Sequence, residues 1–205
     1  MVRDQIAYEP LQHIIVHFMG TETFCYVWMG NGDEVISLYK CLNDLNRKIY
    51  PVIADGPLEF ANYGGNVTPQ IIGREVFAEY YMPCYNEAAE ILHKKDKLIG
   101  CHFDADNTTI MDLIGRSDLD YIEAYDPSMG PSLSEARRAF GNKTIWINFP
   151  CSAHLLPPDE IRRLTINLIK EAGRLEGFLI GITEDVPADR WAINYSAIMD
   201  GIDDA

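Results

Sequence analysis

With 205 residues, the chain is long enough for one well-buried domain and too short for two ordinary ones. Hydrophobic residues make up 47% and charged residues 23% of it, which is typical of a globular protein, and a formal net charge of -14 argues against nucleic acid or an anionic membrane surface as a partner. No apolar stretch approaches the roughly 20 residues that span a bilayer, and the N-terminus carries no apolar signal core. Five cysteines without CxxC spacing predict reduced thiols in a cytoplasmic protein.

Six short apolar runs predict the strands of an α/β protein. In chain order they cover residues 14–18, 58–61, 98–101, 121–124, 144–147 and 178–182. Helical patterns lie between them, and the clearest cover residues 33–50, 134–140 and 158–175. Because each helix returns the chain for a right-handed crossover, these units predict a parallel sheet. A doubly wound sheet and a barrel of eight units both fit, although six units are two short of a closed barrel.

Polar side chains follow most of the predicted strands, where the strands of an α/β enzyme carry its chemistry. Beside the first three strands they are His17, then Asn62, Tyr63 and Asn66, then His102, Asp104 and Asp106; later strands contribute Glu123, Asp126, Asn148 and Glu184. One such residue alone is common in any α/β protein, because loops are solvated. Their recurrence after five or six strands predicts a shared pocket at one edge of the sheet.

His102 and Asp104 stand two residues apart at the end of the third predicted strand, so their side chains project to the same face. An imidazole nitrogen together with carboxylates suits Zn²⁺ or another divalent transition metal. If the ends of the third and sixth strands face one another, His102, Asp104 and Glu184 form such a ligand set with an open position. The alternative is that His102 is a hydrogen-bonded core histidine and Asp104 caps a following helix. The spacing leaves both interpretations open.

Several segments together resemble the uroporphyrinogen decarboxylase superfamily, which includes porphyrinogen decarboxylases and zinc-dependent methyltransferases that serve corrinoid proteins or coenzyme M. The segments cover residues 18–24, 77–85, 98–104, 121–126, 133–137 and 146–150. The resemblance extends over nearly the whole chain and implies a TIM-barrel-type fold with its site at the carboxyl ends of the strands. Residues 1–205 would then form a single domain, the C-terminal three-quarters of a barrel, with six of eight β/α units.

The resemblance also implies a set of catalytic and metal-binding residues. His102 corresponds to a zinc ligand of the methyltransferases, Asp104 stands where they have a cysteine, and Glu184 lies in the region of a second, distant cysteine. The implied function is a metal-dependent transfer of a methyl group between a small methylated substrate and a corrinoid or thiol acceptor. The cofactor would be a divalent metal, with zinc favoured, and a corrinoid could be carried by a partner protein.

Two other functions remain open. One is uroporphyrinogen decarboxylation, a carboxy-lyase reaction of porphyrin biosynthesis, although the arginine-rich N-terminal motif of those enzymes is missing here. The other is a non-catalytic fragment or one subunit of a split barrel enzyme. Because the predicted first strand, residues 14–18, has no Lys or Pro to protect a free edge, we expect a homo-oligomer or a complex with a chain that supplies the missing units.

Overall fold

Six parallel strands form one sheet in which the spatial order follows the order along the chain, in a computed structural model that describes residues 3–205. The strands are β1 (Asp4–Tyr8), β2 (Phe60–Gly64), β3 (Leu98–His102), β4 (Tyr121–Tyr125), β5 (Thr144–Asn148) and β6 (Phe178–Gly181). All five neighbouring pairs are parallel, so every strand presents its carboxyl end at the same edge of the sheet.

Helices connect each strand to the next. They are α1 (Pro10–His13), α2 (Gly20–Ala54), α3 (Pro69–Val76), α4 (Met82–His93), α5 (Met111–Arg116), α6 (Leu133–Phe140) and α7 (Pro158–Ala172), with α8 (Trp191–Asp203) after β6. Two π-helical segments, Ile14–Met19 and Phe77–Tyr81, join α1 to α2 and α3 to α4. The predicted helices are present. α2 is kinked at Asn31, where the backbone leaves the helical range with a φ of -149°, and it continues past Pro51 to Ala54. No helix in the described part of the chain is long and apolar enough to cross a membrane.

The prediction of a first strand at residues 14–18 is wrong, because this segment is helical and the strand lies earlier, at Asp4–Tyr8. Glu9 caps the helix by accepting a hydrogen bond from the backbone N–H of Gln12, and Pro10 begins it. Leu11, Ile14 and Ile15 are buried at helical spacing. A short continuous apolar run fits a buried strand or a buried helix equally well, so the periodicity of residues 14–18 alone misleads. The expectation of an oligomer or a complex rested on residues 14–18 as an unprotected edge strand, and these residues do not form a strand.

The sheet is strongly curved, and Arg3 shows this directly. Arg3 precedes the edge strand β1, yet its guanidinium lies 5.5 Å from the ring centre of Trp146 on β5 and 2.6 Å from the carboxylate of Glu123 on β4. In a flat sheet, four strand spacings would separate β1 from β5 by about 19 Å, far beyond the reach of one side chain. The six strands therefore form an incomplete TIM-barrel-type wall, as the sequence predicts.

A glycine on β3 makes room for a tyrosine that ties two strands together across the concave face. The Tyr121 ring lies over Gly100, and its hydroxyl donates a hydrogen bond of 2.6 Å to the carbonyl oxygen of Ala61 on β2. A Cβ atom at Gly100 would lie 2.2 Å from two carbons of this ring. The absence of a side chain at position 100 therefore allows β4 to contact β2 directly over β3.

The opposite, convex face of the sheet packs against the helices through a core rich in aromatic side chains. Its largest fully buried members include Tyr50, Tyr63, Tyr81, Tyr85, Phe77 and Phe103. One carboxyl group is also buried there: Glu9 is 0% exposed, and burial raises its pKa to about 8. A carboxyl group in such surroundings favours its neutral form at neutral pH, because desolvation penalises the charge.

The contact between Gly100 and Tyr121 makes a specific prediction. We expect Gly100→Ala to lower the free energy of unfolding by about 3 kcal/mol, because the added methyl group forces the tyrosine ring out of place. Gly32→Ala is the matched control, since Gly32 lies in α2 and a Cβ atom added there would meet no heavy atom within 4 Å. That control should change the free energy of unfolding by less than about 0.5 kcal/mol, because Gly32 lies next to the kink at Asn31 and touches no other side chain. Urea unfolding curves of the two variants measure both values, and equal effects would contradict this packing.

Candidate functional site

A cavity of about 460 Å³ lies on the concave side of the sheet, towards the carboxyl ends of β1 to β4. Polar side chains and bare glycine backbone form most of its wall. The lining residues are Arg3, Gln5, Ile6, Ala7, Tyr8, His13, His17, Asn62, Gly64, Gly65, Asn66, His102 and Glu123. A concave site of this size with a few convergent polar groups is typical of a pocket for a small molecule.

Glu123 is the centre of a buried network of charges and hydrogen bonds at the floor of this cavity. Its side chain is 5% exposed, and it accepts hydrogen bonds from Arg3 (2.6 Å), Asn62 (2.9 Å) and His102 Nδ1 (3.3 Å). Burial opposes ionisation of Glu123, but the hydrogen bonds from His102 and Arg3 outweigh it, so its pKa lies below its usual value. The network thus holds a carboxylate, not a neutral acid, inside the sheet.

His102 lies between two carboxylates. Its Nδ1 faces Glu123 at 3.3 Å, and its Nε2 faces Asp104 at 3.2 Å. Burial disfavours its charged form, but hydrogen bonds to Asp104 and Glu123 outweigh burial and raise the pKa of His102 to about 9. The hydrogen bond from His102 in turn lowers the pKa of Asp104. His102 is therefore an imidazolium at neutral pH, and both of its N–H groups donate.

The irregular segment after β2 shapes the wall next to His102. Gly65 approaches the backbone of this histidine so closely that a Cβ would lie 2.0 Å from the His102 carbonyl oxygen. Asn66 has a φ of 57°, in the left-handed region, and its carbonyl oxygen accepts a 2.8 Å hydrogen bond from the Gln12 amide. Gly64 ends β2, and the irregular segment that follows brings Asn66 to the cavity.

The opposite wall carries two histidines one helical turn apart. His13 ends α1, and His17 lies in the π-helical segment that follows. Their ring centres are 4.7 Å apart. Tyr8 packs against His17 with ring centres 5.5 Å apart, and Phe18 packs against His13 at 5.3 Å. Burial, and secondarily the charge of His17, lower the pKa of His13.

Five of the predicted site residues line the cavity together: His17, Asn62, Asn66, His102 and Glu123. Asp104 joins them through its contact with His102. It does not cap a helix as the alternative interpretation expected, because α5 begins only at Met111. The convergence of polar groups from β2, β3 and β4 is therefore real, and it depends on the parallel order of these strands.

Other predicted residues lie elsewhere. Tyr63 is fully buried on the helix side of β2, where its hydroxyl is 2.7 Å from that of Tyr50. Residues of a strand alternate between faces, so Asn62 and Tyr63 cannot both face the cavity. Asp106 and Asp126 each accept a hydrogen bond from the backbone N–H two residues later, at Thr108 and Ser128, and stabilise loops.

The last two predicted residues lie at the far side of the sheet. Asn148 is buried and accepts a hydrogen bond from the backbone N–H of Thr183 (3.2 Å), which links the loops after β5 and β6. Glu184 is exposed in the loop after β6, three strand positions from His102, and does not line the cavity. The sequence correctly places Asn148 and Glu184 near the ends of the last two strands. The order of strands along the chain does not give the distance between those ends and His102.

The predicted metal ligands His102, Asp104 and Glu184 are not brought together. Within residues 3–205, no three or more His, Cys, Asp or Glu side chains form a group that could hold a metal ion. A metal ligand must also offer a lone pair. Both ring nitrogens of His102 face carboxylate oxygens, at 3.3 and 3.2 Å, so neither points to an open coordination position.

Sequence reasoning missed Arg3, Tyr8 and His13, which also line the cavity. Arg3 precedes β1, Tyr8 ends it and His13 lies on the helix that follows. The hydropathy pattern did not reveal β1, because residues 4–8 read Asp-Gln-Ile-Ala-Tyr. Two signals were available in the sequence. Glu9-Pro10 is suited to a helix start, and His13 and His17 have the spacing of one helical face.

The network around Glu123 makes a prediction about pH. Replacing it with glutamine should lower the pKa of His102, which NMR titration of the imidazole protons measures. Because the pKa of His102 is raised from 6.5 to about 9 on folding, its stabilising effect is present below pH 6.5 and is lost as pH rises through about 9. Glu123→Gln should make the stability less dependent on pH in this range. It should also lower the free energy of unfolding by about 3 kcal/mol at neutral pH.

Glu90→Gln is the control for this substitution, because Glu90 pairs with Lys94 on an exposed helix surface. Exposed pairs of this kind contribute little, so the control should change neither the stability nor the titration of His102. An unchanged His102 pKa in Glu123→Gln would contradict the network described above.

Comparison with solved structures finds the same fold in a methyltransferase from Methanosarcina mazei. The two structures superpose with a TM-score of 0.71 at 12% sequence identity, over 99% of this chain. The match covers 59% of the methyltransferase chain, so this chain spans less than two thirds of the length of that protein. No protein-family model and no curated protein sequence matches the chain. At this identity the likeness shows the fold, an incomplete barrel of parallel β/α units.

Proposed function

We propose that the chain is a methyltransferase that binds a small methylated compound in the cavity, with His102 as its general acid. The observation that carries this proposal is the position of His102, an imidazolium held between Asp104 and Glu123 on the cavity wall. The fold that the chain shares with a methyltransferase supports the reaction class. The acceptor class, a corrinoid or thiol nucleophile, comes from the sequence resemblance and is part of the proposal.

Demethylation of an ether or an amine needs a proton for the leaving group. The bond between the methyl carbon and the heteroatom breaks, and its electron pair stays on the heteroatom. The acceptor supplies the electron pair of the new bond to the methyl group. His102 donates its proton to the departing oxygen or nitrogen and regains one from solvent. General acid catalysis by a positioned side chain contributes about 10²–10⁴-fold to the rate.

The two carboxylates have different roles in this mechanism. Glu123 is buried and is fixed by Arg3 and Asn62, so it orients the ring through Nδ1 and keeps it charged. Asp104 is 36% exposed, and its contact with Nε2 is 3.2 Å long. A substrate heteroatom can therefore replace Asp104 at Nε2, which makes Nε2 the atom that donates the proton.

Three further side chains are placed to orient the substrate. Asn62 and Asn66 lie at the end of β2 on one side of His102, and His17 lies on the helical wall. The Oδ1 atom of Asn62 is buried without a hydrogen-bond partner in residues 3–205, while its Nδ2 donates to Glu123. An unpaired buried acceptor is costly. A substrate hydroxyl or N–H group would satisfy it.

The test is an activity assay with a panel of methyl ethers and methylamines, with reduced cobalamin or a thiol as acceptor. We expect His102→Gln to lower kcat by about 10²–10⁴-fold, because the amide cannot supply the proton. The rate of the wild-type protein should fall as pH rises through about 9, where His102 loses its proton. Asp104→Asn should leave more activity than His102→Gln, because His102 is still present and its Nε2 can still donate the proton.

His93→Gln is the matched control. His93 lies at the end of α4, away from the cavity, and contacts Asp120 at 2.8 Å. Its removal should leave kcat and the pH profile unchanged. A fully active His102→Gln variant, or a rate that does not fall near pH 9, would show that this histidine is not the acid.

A further inference from the structure

Free imidazole nitrogens lie on the helical wall of the cavity and not at His102. The imidazole nitrogens that make hydrogen bonds within residues 3–205 belong to His93, His102 and His154, and those of His13 and His17 make none. Yet both of these residues line the 460 Å³ cavity. Two imidazoles with unshared nitrogens at the wall of a polar cavity are the natural ligands of a borderline transition metal.

The backbone places the two rings side by side. His13 and His17 are four residues apart in a continuous helical segment, and residues at this spacing are neighbours on one helix face. Leu11, Ile14 and Ile15 are buried in the core and fix the rotation of the segment about its axis. Burial of these apolar side chains therefore turns the face that carries His13 and His17 towards the cavity.

The separation of the rings fits chelation of one ion. With a Zn–N bond of about 2.1 Å, each ring centre lies roughly 3.2 Å from the metal, and two imidazoles at a tetrahedral angle have ring centres roughly 5 Å apart. The observed separation is 4.7 Å, with the ring planes tilted by 57°. Tyr8 packs against His17 and Phe18 packs against His13, with ring centres 5.5 and 5.3 Å apart.

We propose that His13 and His17 together bind one divalent transition metal ion, such as Zn²⁺, at the wall of the cavity. Two ligands from the protein leave the other coordination positions for water or for a heteroatom of a molecule in the cavity. The site shares the cavity with the His102 network and shares His17 with the proposed substrate-binding residues, but binding of the ion requires neither His102 nor methyl transfer. It also differs from the site that the sequence predicts, because it uses neither Asp104 nor Glu184.

The experiment is calorimetric titration of the full, tag-free chain with Zn²⁺. We expect one ion per chain in the wild-type protein. Removing a partner that only supports a metal ligand costs about 10–100-fold in affinity, so removing a ligand itself, in His13→Gln or His17→Gln, should cost at least tenfold. The double variant should show no saturable binding. His102→Gln is the matched control, and its affinity should equal that of the wild type.

Two further measurements keep the outcome decisive. Thermal unfolding without metal should be similar in the wild type and the variants, and Zn²⁺ should raise the Tm of the wild type but not of the double variant, because a ligand that binds the folded state stabilises it. The absorption spectrum of the Co²⁺ form should lack a thiolate charge-transfer band. Binding that persists in the double variant, disappears in His102→Gln, exceeds one ion per chain or shows that band would overturn the proposal.

Discussion

The carboxylate of Glu123, buried on the concave side of the sheet, is the group on which the arrangement of the site depends. It accepts hydrogen bonds from residues on three different elements: Arg3 before β1, Asn62 on β2 and His102 on β3. A buried charge is tolerated only when it is paired and hydrogen-bonded. Each partner is therefore constrained by the need to satisfy the same two oxygen atoms, and together they link the first four strands across the curved sheet.

This curvature is also what makes the cavity. Arg3 reaches from the first strand over the sheet to Trp146, and the space enclosed beneath the carboxyl ends of β1 to β4 is lined by the side chains that bind Glu123. Small residues also shape the wall of the cavity. Gly100 admits the Tyr121 ring, and Gly65 admits the backbone of His102, so neighbouring strands and turns come closer than a Cβ atom would permit.

The histidines of the cavity have different neighbours. His102 is engaged at both nitrogens by carboxylates, which keep it protonated and make it a proton donor. His13 and His17 contact aromatic rings and no carboxylate within the described residues, so their nitrogens stay available. The same residue type is thus paired with carboxylates on one wall and with aromatic rings on the other, and both proposed roles follow from this difference. Sequence spacing gives no information about those neighbours.

The sequence by itself determined the parallel α/β architecture, five of the six strands to within a few residues, and the polar residues that converge at their ends. These follow from local patterns: apolar runs of strand length, helical spacing and the alternation of the two. Only the tertiary structure decided the rest. Residues 14–18 form a helix because Leu11, Ile14 and Ile15 bury one helical face, and β1 became visible only through its pairing with β2. Glu184 is separated from His102 because β4 and β5 lie between their strands, a distance set by packing of the whole sheet and not by any single segment.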